Sequence, residues 1–80
     1  MSRSPRPFSV FGFASTHDAL DAEALLLDLG VDVVVMPAPK SLGSLCGLAL
    51  RLEIADETRA LDYLQGAGLS VRAREVIEDV

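Results

Sequence analysis

From Leu48 to Ile54 the chain reads LALRLEI, with leucine or isoleucine at every second position. A period of two belongs to a β-strand, whose successive side chains point to opposite faces of a sheet. Leu48, Leu50, Leu52 and Ile54 therefore share one face, and Ala49, Arg51 and Glu53 share the other. Such a strand fits a sheet that is covered on one side only. The remaining residues must then supply partner strands and an apolar layer for the leucine face. Eighty residues, half of them apolar, suffice for one small domain if nearly all the apolar side chains enter a single core.

Three further strands and two helices can be read in chain order. Phe8–Phe13 is aromatic-rich and extended, and its Phe11 and Phe13 could lie on the open face. Ser15 and Thr16 then offer caps, Ser15 with Asp18 having the spacing of a capping box. The helix that follows runs to about Leu29. Ala19, Ala22, Leu26 and Leu29 form its buried stripe, widened by Leu20 and Leu27, and Gly30 is its C′ residue. The small Ala19 and Ala22 suggest a helix lying close to the sheet. Val31–Met36 is a strand through its β-branched run Val33–Val35. After the loop Pro37–Gly47 and the leucine strand, Asp56 and Glu57 open a second helix as capping and dipole partners. That helix runs to Gln65 with Ala60, Leu61 and Leu64 buried, and Gly66 and Gly68 end it. Leu69–Ile77 is the last strand, with Val71, Ala73 and Glu75 on one face.

Strand, helix, strand, strand, helix, strand is the order of the ferredoxin-like βαββαβ fold. This is an α+β architecture with a four-stranded antiparallel sheet and two helices on one face. A small open α/β sheet is the competing fold and would expose more edge. Met1–Pro7, with two prolines, two arginines and no periodicity, reads as a flexible leader before a single domain over residues 8–80.

Charge narrows the partners. The net charge is −5, and beyond the leader five basic residues stand against twelve acidic ones. Nucleic-acid backbones and anionic membranes need clustered Lys and Arg, so neither is expected as a partner. No apolar run approaches a membrane span and no signal peptide is evident. A single cysteine cannot form an internal disulfide, which fits a cytoplasmic protein with a reduced thiol. One Cys, one His and scattered carboxylates lack the spacing of a metal site, and no nucleotide-binding fingerprint occurs, so no cofactor is expected.

The loop between the second and third strands carries the chemistry. In MPAPKSLGSLCGLALRLEI, from Met36 to Ile54, the lone thiol of Cys46 stands beside Gly47 in a segment punctuated by Pro37, Pro39 and Gly43. In the βαββαβ topology this loop should hang beside Ser15, Thr16 and His17 at the start of the first helix. Unpaired backbone N–H groups there favour an anion, and a thiolate is one. His17 could exchange a proton with it, while Lys40 and Arg51 could attract an anionic sulfur or selenium substrate. Gly47 permits close approach, and Ser41 and Ser44 supply hydroxyls. Each residue also has a plainer reading. Cys46 could be a small buried hydrophobe, His17 a solvated helix-start residue, the serines loop hydrogen-bonders, and Arg51 a solubilising residue.

PAPKSLGSLCGLALR, Pro37–Arg51, resembles the hallmark of the putative Se/S carrier protein-like family. The matching positions are Pro39, Ser41, Cys46, Gly47 and Arg51. STHDALDAE, Ser15–Glu23, is similar to the family's first-helix opening. The resemblance covers Phe11 to Val76, and departs from the family in Lys40, where arginine is common, and in the acidic surface. It implies a carrier or accessory protein more than a stand-alone enzyme. Cys46 would hold sulfur or selenium as a persulfide or perselenide, between donor and acceptor proteins. The alternative is a noncatalytic ferredoxin-like interaction or regulatory module with a structural cysteine. In either case the open sheet face is the expected place for a homodimer.

Overall fold

A computed structural model describes residues 6–42 and 47–79 of the chain. The chain forms β1 (Arg6–Gly12), α1 (Thr16–Asp28), β2 (Val33–Pro37), β3 (Leu48–Glu53), α2 (Glu57–Gly66) and β4 (Ala73–Asp79). Short 3-10 turns at Lys40–Leu42 and Ile54–Asp56 flank β3 in sequence. The sheet order is β2-β3-β1-β4 and every neighbouring pair is antiparallel. The expected ferredoxin-like βαββαβ fold is the one observed, with both helices on one face.

Strand register sorts the side chains. Ser9, Phe11 and Phe13 lie on the helix-bearing face with Leu50 and Leu52, and Phe8 and Val10 lie on the other with Ala49 and Arg51. Phe11, Phe13, Ala19, Ala22, Leu26, Val31, Leu50, Leu52, Ala60 and Leu64 make the main core. Phe11 and Phe13 are fully buried there, so the open face that their sequence position also allowed is not theirs. Their odd positions set them in phase with the leucines of β3, so the same alternation that buries Leu50 buries them.

The alanines bring the helices close. Ala19 and Ala22 of α1 and Ala60 of α2 are fully buried, so the helix backbones approach with no bulk between. Leu29, expected in the buried α1 stripe, and Leu20 and Leu27, expected to widen it, are 41–50 % exposed. Leu25 takes their place, partly buried against the core. Glycine ends both helices in one way. Gly30 (φ 84°) and Gly68 (φ 76°) adopt the left-handed conformation, which a Cβ disfavours. The following N–H bonds then reach back, Val31 to the Leu26 carbonyl at 2.8 Å and Leu69 to the Leu64 carbonyl at 2.9 Å. These are the outer bonds of two Schellman motifs, and in each the bonded residues also belong to the core.

Element boundaries depart from expectation where a connection packs inward. β4 starts at Ala73 rather than Leu69, because Leu69 and Val71 turn into the core as part of the connection. β3 stops at Glu53, and Ile54 enters a 3-10 turn with 41 % exposure instead of continuing the leucine face.

The face without helices is not bare. Leu42, from the 3-10 turn, is 7 % exposed and packs on Val10 and Ala49, with Met36, Ala38, Ala73 and Ile77 around it. The Ala38 N–H donates to the Gly47 carbonyl at 2.9 Å and ties the loop's two stems together.

Two outcomes follow. Ala22→Leu should destabilise the protein by about 1–3 kcal/mol, because the added volume has nowhere to go; a urea midpoint equal to wild type would contradict this packing. Leu42→Ala removes much of the ~1.5–3 kcal/mol gained by burying that side chain. Hydrogen exchange at the Ala38 amide should then speed up by roughly tenfold, while core amides of β1 change less.

Candidate functional site

The expected site residues fall into two groups. Ser15, Thr16 and His17 stand at the start of α1. Ser15 is the N-cap, and its Oγ accepts from the Asp18 N–H at 3.1 Å. That is the cap half of the expected capping box. Thr16 is exposed, and His17 pairs its Nε2 with Asp21 Oδ2 at 3.1 Å. With its side chain 85 % exposed, His17 lies in solvent along the outside of the helix.

Lys40, Ser41, Gly47 and Arg51 form the second group, on the face away from the helices or at its end. Ser41 Oγ donates to Glu75 Oε1 at 2.8 Å, so the 3-10 turn is fastened to β4 by a polar contact beside the apolar one of Leu42. Lys40 precedes Ser41 and is exposed. Glu75, Val10, Arg51 and Val34 form one cross-strand row, each the register partner of the next. Two strand spacings separate Glu75 from Arg51, roughly 10 Å. Ser41 and Arg51 thus border the same patch of open face.

The described turn of the loop, Lys40–Leu42, does not lie beside Ser15, Thr16 and His17. Both groups sit toward the sheet end marked by the pairs Gly12–Ala49 and Pro37–Leu48. Lys40, Ser41 and Leu42, however, fold over the open face, while α1 packs on the opposite one. The cause is Leu42, whose burial against Val10 and Ala49 draws the turn across the sheet. Cys46 and Ser44 lie outside the described residues. Gly47 adjoins Cys46 in sequence, is exposed, and has no positive φ and no described neighbour near a virtual Cβ. The reason proposed for a glycine there, close approach of another group, therefore has no counterpart among the described residues.

Arg51 has company that sequence spacing did not reveal. Its guanidinium carbon stands 4.5 Å from the Phe8 ring centroid, and that of Arg6 stands 4.9 Å from it. Both cations are placed to interact with the aromatic face, and their stems help to hold Phe8 to 7 % exposure on the helix-free side. Arg6 also pairs with Glu53. Leu42 is the further residue of this face that sequence reasoning missed. The alternation of the last strand puts Glu75 on one face with Ala73, but does not show its partner Ser41, which comes from a distant turn.

On the helix side, Glu57 departs from its expected capping role. It accepts from the hydroxyl of fully buried Ser9 and from Arg74 Nη1 at 2.9 Å. Asp56, the N-cap of α2, makes no capping bond with its side chain and pairs instead with Arg59 at 3.1 Å. Among the described residues, no group of three or more His, Cys, Asp or Glu side chains is placed to hold a metal ion. No described helix is long and apolar enough to cross a membrane.

No curated protein and no solved structure matches the chain. A family model does, described as Putative Se/S carrier protein-like, and it spans residues 9–74. That span runs from the buried serine of β1 through both helices, the loop and β3 to the second residue of β4, and the chain belongs to this Se/S carrier protein-like family.

Proposed function

We propose that the protein carries a sulfur or selenium atom on Cys46 and passes it between partner proteins. The observation that carries this reading is the family match over residues 9–74, which contains the loop with the chain's one thiol. Family membership suggests a carrier-type role with a donor and an acceptor; the atom carried and the cysteine that holds it are our assignment.

The chemistry needs one nucleophile. The Cys46 thiolate attacks the outer sulfur of a donor persulfide, a new S–S bond forms, and the donor's S–S bond breaks. The donor leaves as a thiolate, so the transfer needs no external oxidant or reductant. An acceptor nucleophile then attacks the outer sulfur, and Cys46 leaves as the thiolate. Selenium follows the same course from a selenium-loaded donor. A thiol in this role must stay reduced between loadings, which suits a cytoplasmic setting.

Support for the reading comes from the loop's stems. Leu42 and the Ser41–Glu75 hydrogen bond fasten one side, and the Ala38–Gly47 bond closes the base. Lys40 and Arg51 bring positive charge to that face of an otherwise acidic protein, where it would favour an anionic sulfur or selenium species. His17, paired with Asp21 on the outside of α1, is assigned no part in the transfer.

Intact-mass measurement tests the reading. After incubation with a small-molecule persulfide or with selenide plus an oxidised thiol, the wild-type chain should gain one sulfur or selenium atom. Thiol reductant should remove it, and Cys46→Ser should gain nothing. A wild-type chain that takes up neither atom, with Cys46 also inert to alkylation in the folded protein, would leave a binding module with a structural cysteine.

A further inference from the structure

The sheet has two edges, and they differ. β2 ends in Pro37, which lacks an N–H and cannot complete a ladder. β4 has no proline, and within the described sheet it pairs with β1 alone. A strand edge of this kind presents unpaired backbone groups to any incoming chain. β4 also has an uncovered face. Its register with Phe11 and Ser9 puts Arg74 and Val76 on the helix-bearing side, where Arg74 meets Glu57 of α2 but Val76 stays open to solvent. Val76 is 60 % exposed, more than any other large apolar side chain among the described residues. A groove of about 320 Å³ opens between α2 and this strand, lined by Leu61, Val71, Arg72, Ala73 and Arg74.

We propose that β4 pairs antiparallel with β4 of a second copy of the chain, about a two-fold axis at Val76. The sequence of the strand, AREVIED, is complementary to itself in that register. Val76 faces Val76, Arg74 faces Glu78 of the second copy, and Glu78 faces its Arg74. Glu75 faces Ile77 on the other side of the sheet. An apolar contact is thus flanked by two opposite-charge pairs, each of the kind that stabilises cross-strand neighbours. Neighbouring symmetric registers lose this match. Centring on Glu75 opposes two glutamates, and centring on Ile77 opposes Glu75 to Asp79.

Arg74 is suited to a shared role. One of its nitrogens is held by Glu57 at 2.9 Å, while its side chain remains 53 % exposed, and a guanidinium has further donors for a second carboxylate. With the axis perpendicular to the sheet, the two sheets join as one of eight strands with all four helices on the same side. The charged residues of β4 could instead serve only to repel other strands, as edge charges often do. Such a guard has no need of an exposed valine between opposite charges, and like charges would repel more strongly.

Sedimentation equilibrium of the full chain, with circular dichroism as the check on folding, tests the proposal. Wild type should show a monomer–dimer equilibrium reaching twice the 8.5 kDa chain mass. Arg74→Glu and Glu78→Arg each create two like-charge pairs, and each alone should weaken the dimer about tenfold or more. An equimolar mixture of the two variants restores both opposite-charge pairs in a heterodimer and should recover the wild-type association. If Arg74→Glu fails to fold beside Glu57, Val76→Lys carries the test, since it puts like charges at the axis and should give a monomer. A wild-type chain monomeric at every concentration overturns the proposal and leaves the edge to a strand of another protein. A dimer indifferent to Val76→Lys or to both reversals overturns it too, pointing to another surface such as the open face. So does a mixture of two folded variants that fails to reassociate.

Discussion

β1 is buried on both of its faces, and the rest of the molecule is arranged to make that so. Phe8 and Val10 point one way and Ser9, Phe11 and Phe13 the other, none more than 7 % exposed. A central strand with two apolar faces needs a layer on each side, but a chain of 80 residues has helices for only one. The second layer is improvised. Leu42 covers Val10, and the guanidiniums of Arg6 and Arg51 flank Phe8. The loop is therefore structural before it is chemical, because its first half completes the burial of the strand that both β3 and β4 pair with. A slip of one residue in β1 would carry Phe11 and Phe13 to the thin side and leave the helices facing smaller residues.

The one buried polar side chain of β1 shows how the helix side is kept in register. Ser9 gives its hydroxyl to Glu57, which also receives Arg74, so β1, α2 and β4 meet at a single carboxylate. A buried hydroxyl without a partner would be costly, and no buried side-chain nitrogen or oxygen among the described residues lacks one. The contact fixes the start of α2 over the sheet even though the helix leaves the outer part of β4 uncovered.

Much of this was legible in the sequence. The alternation of Leu48–Glu53, the buried alanines of α1, and Gly30 and Gly68 at the helix ends each follow from local periodicity or backbone sterics, which a single stretch of chain expresses by itself. The misreadings share a different cause. Phe11 and Phe13 could be assigned to a face only once their phase relative to β3 was known, and that phase is a property of a pair of strands. The same holds for Glu57, whose neighbours in sequence suggest a cap but whose partners come from β1 and β4. The topology read from sequence brought the strand ends that flank the loop and the start of α1 to one end of the sheet. It could not say on which side Lys40 and Ser41 would lie, because Leu42 decides that through two residues, Val10 and Ala49, that are remote from it or separated by the loop.

The ladder between β1 and β4 closes the fold in a further sense. Arg6 is the register partner of Asp79, so the first and last described strands run side by side over their whole length. The backbone is in effect a ring, with the β1–β4 ladder standing where a covalent link would be. A short peptide joining these ends would add a hairpin turn and disturb no existing pair, and the chain could then be opened elsewhere. The 38–47 loop is one opening that spares every strand and both Schellman turns. What the described part of the loop gives the sheet is the seat of Leu42 on Val10 and Ala49, which depends on packing rather than on the order in which the strands are joined.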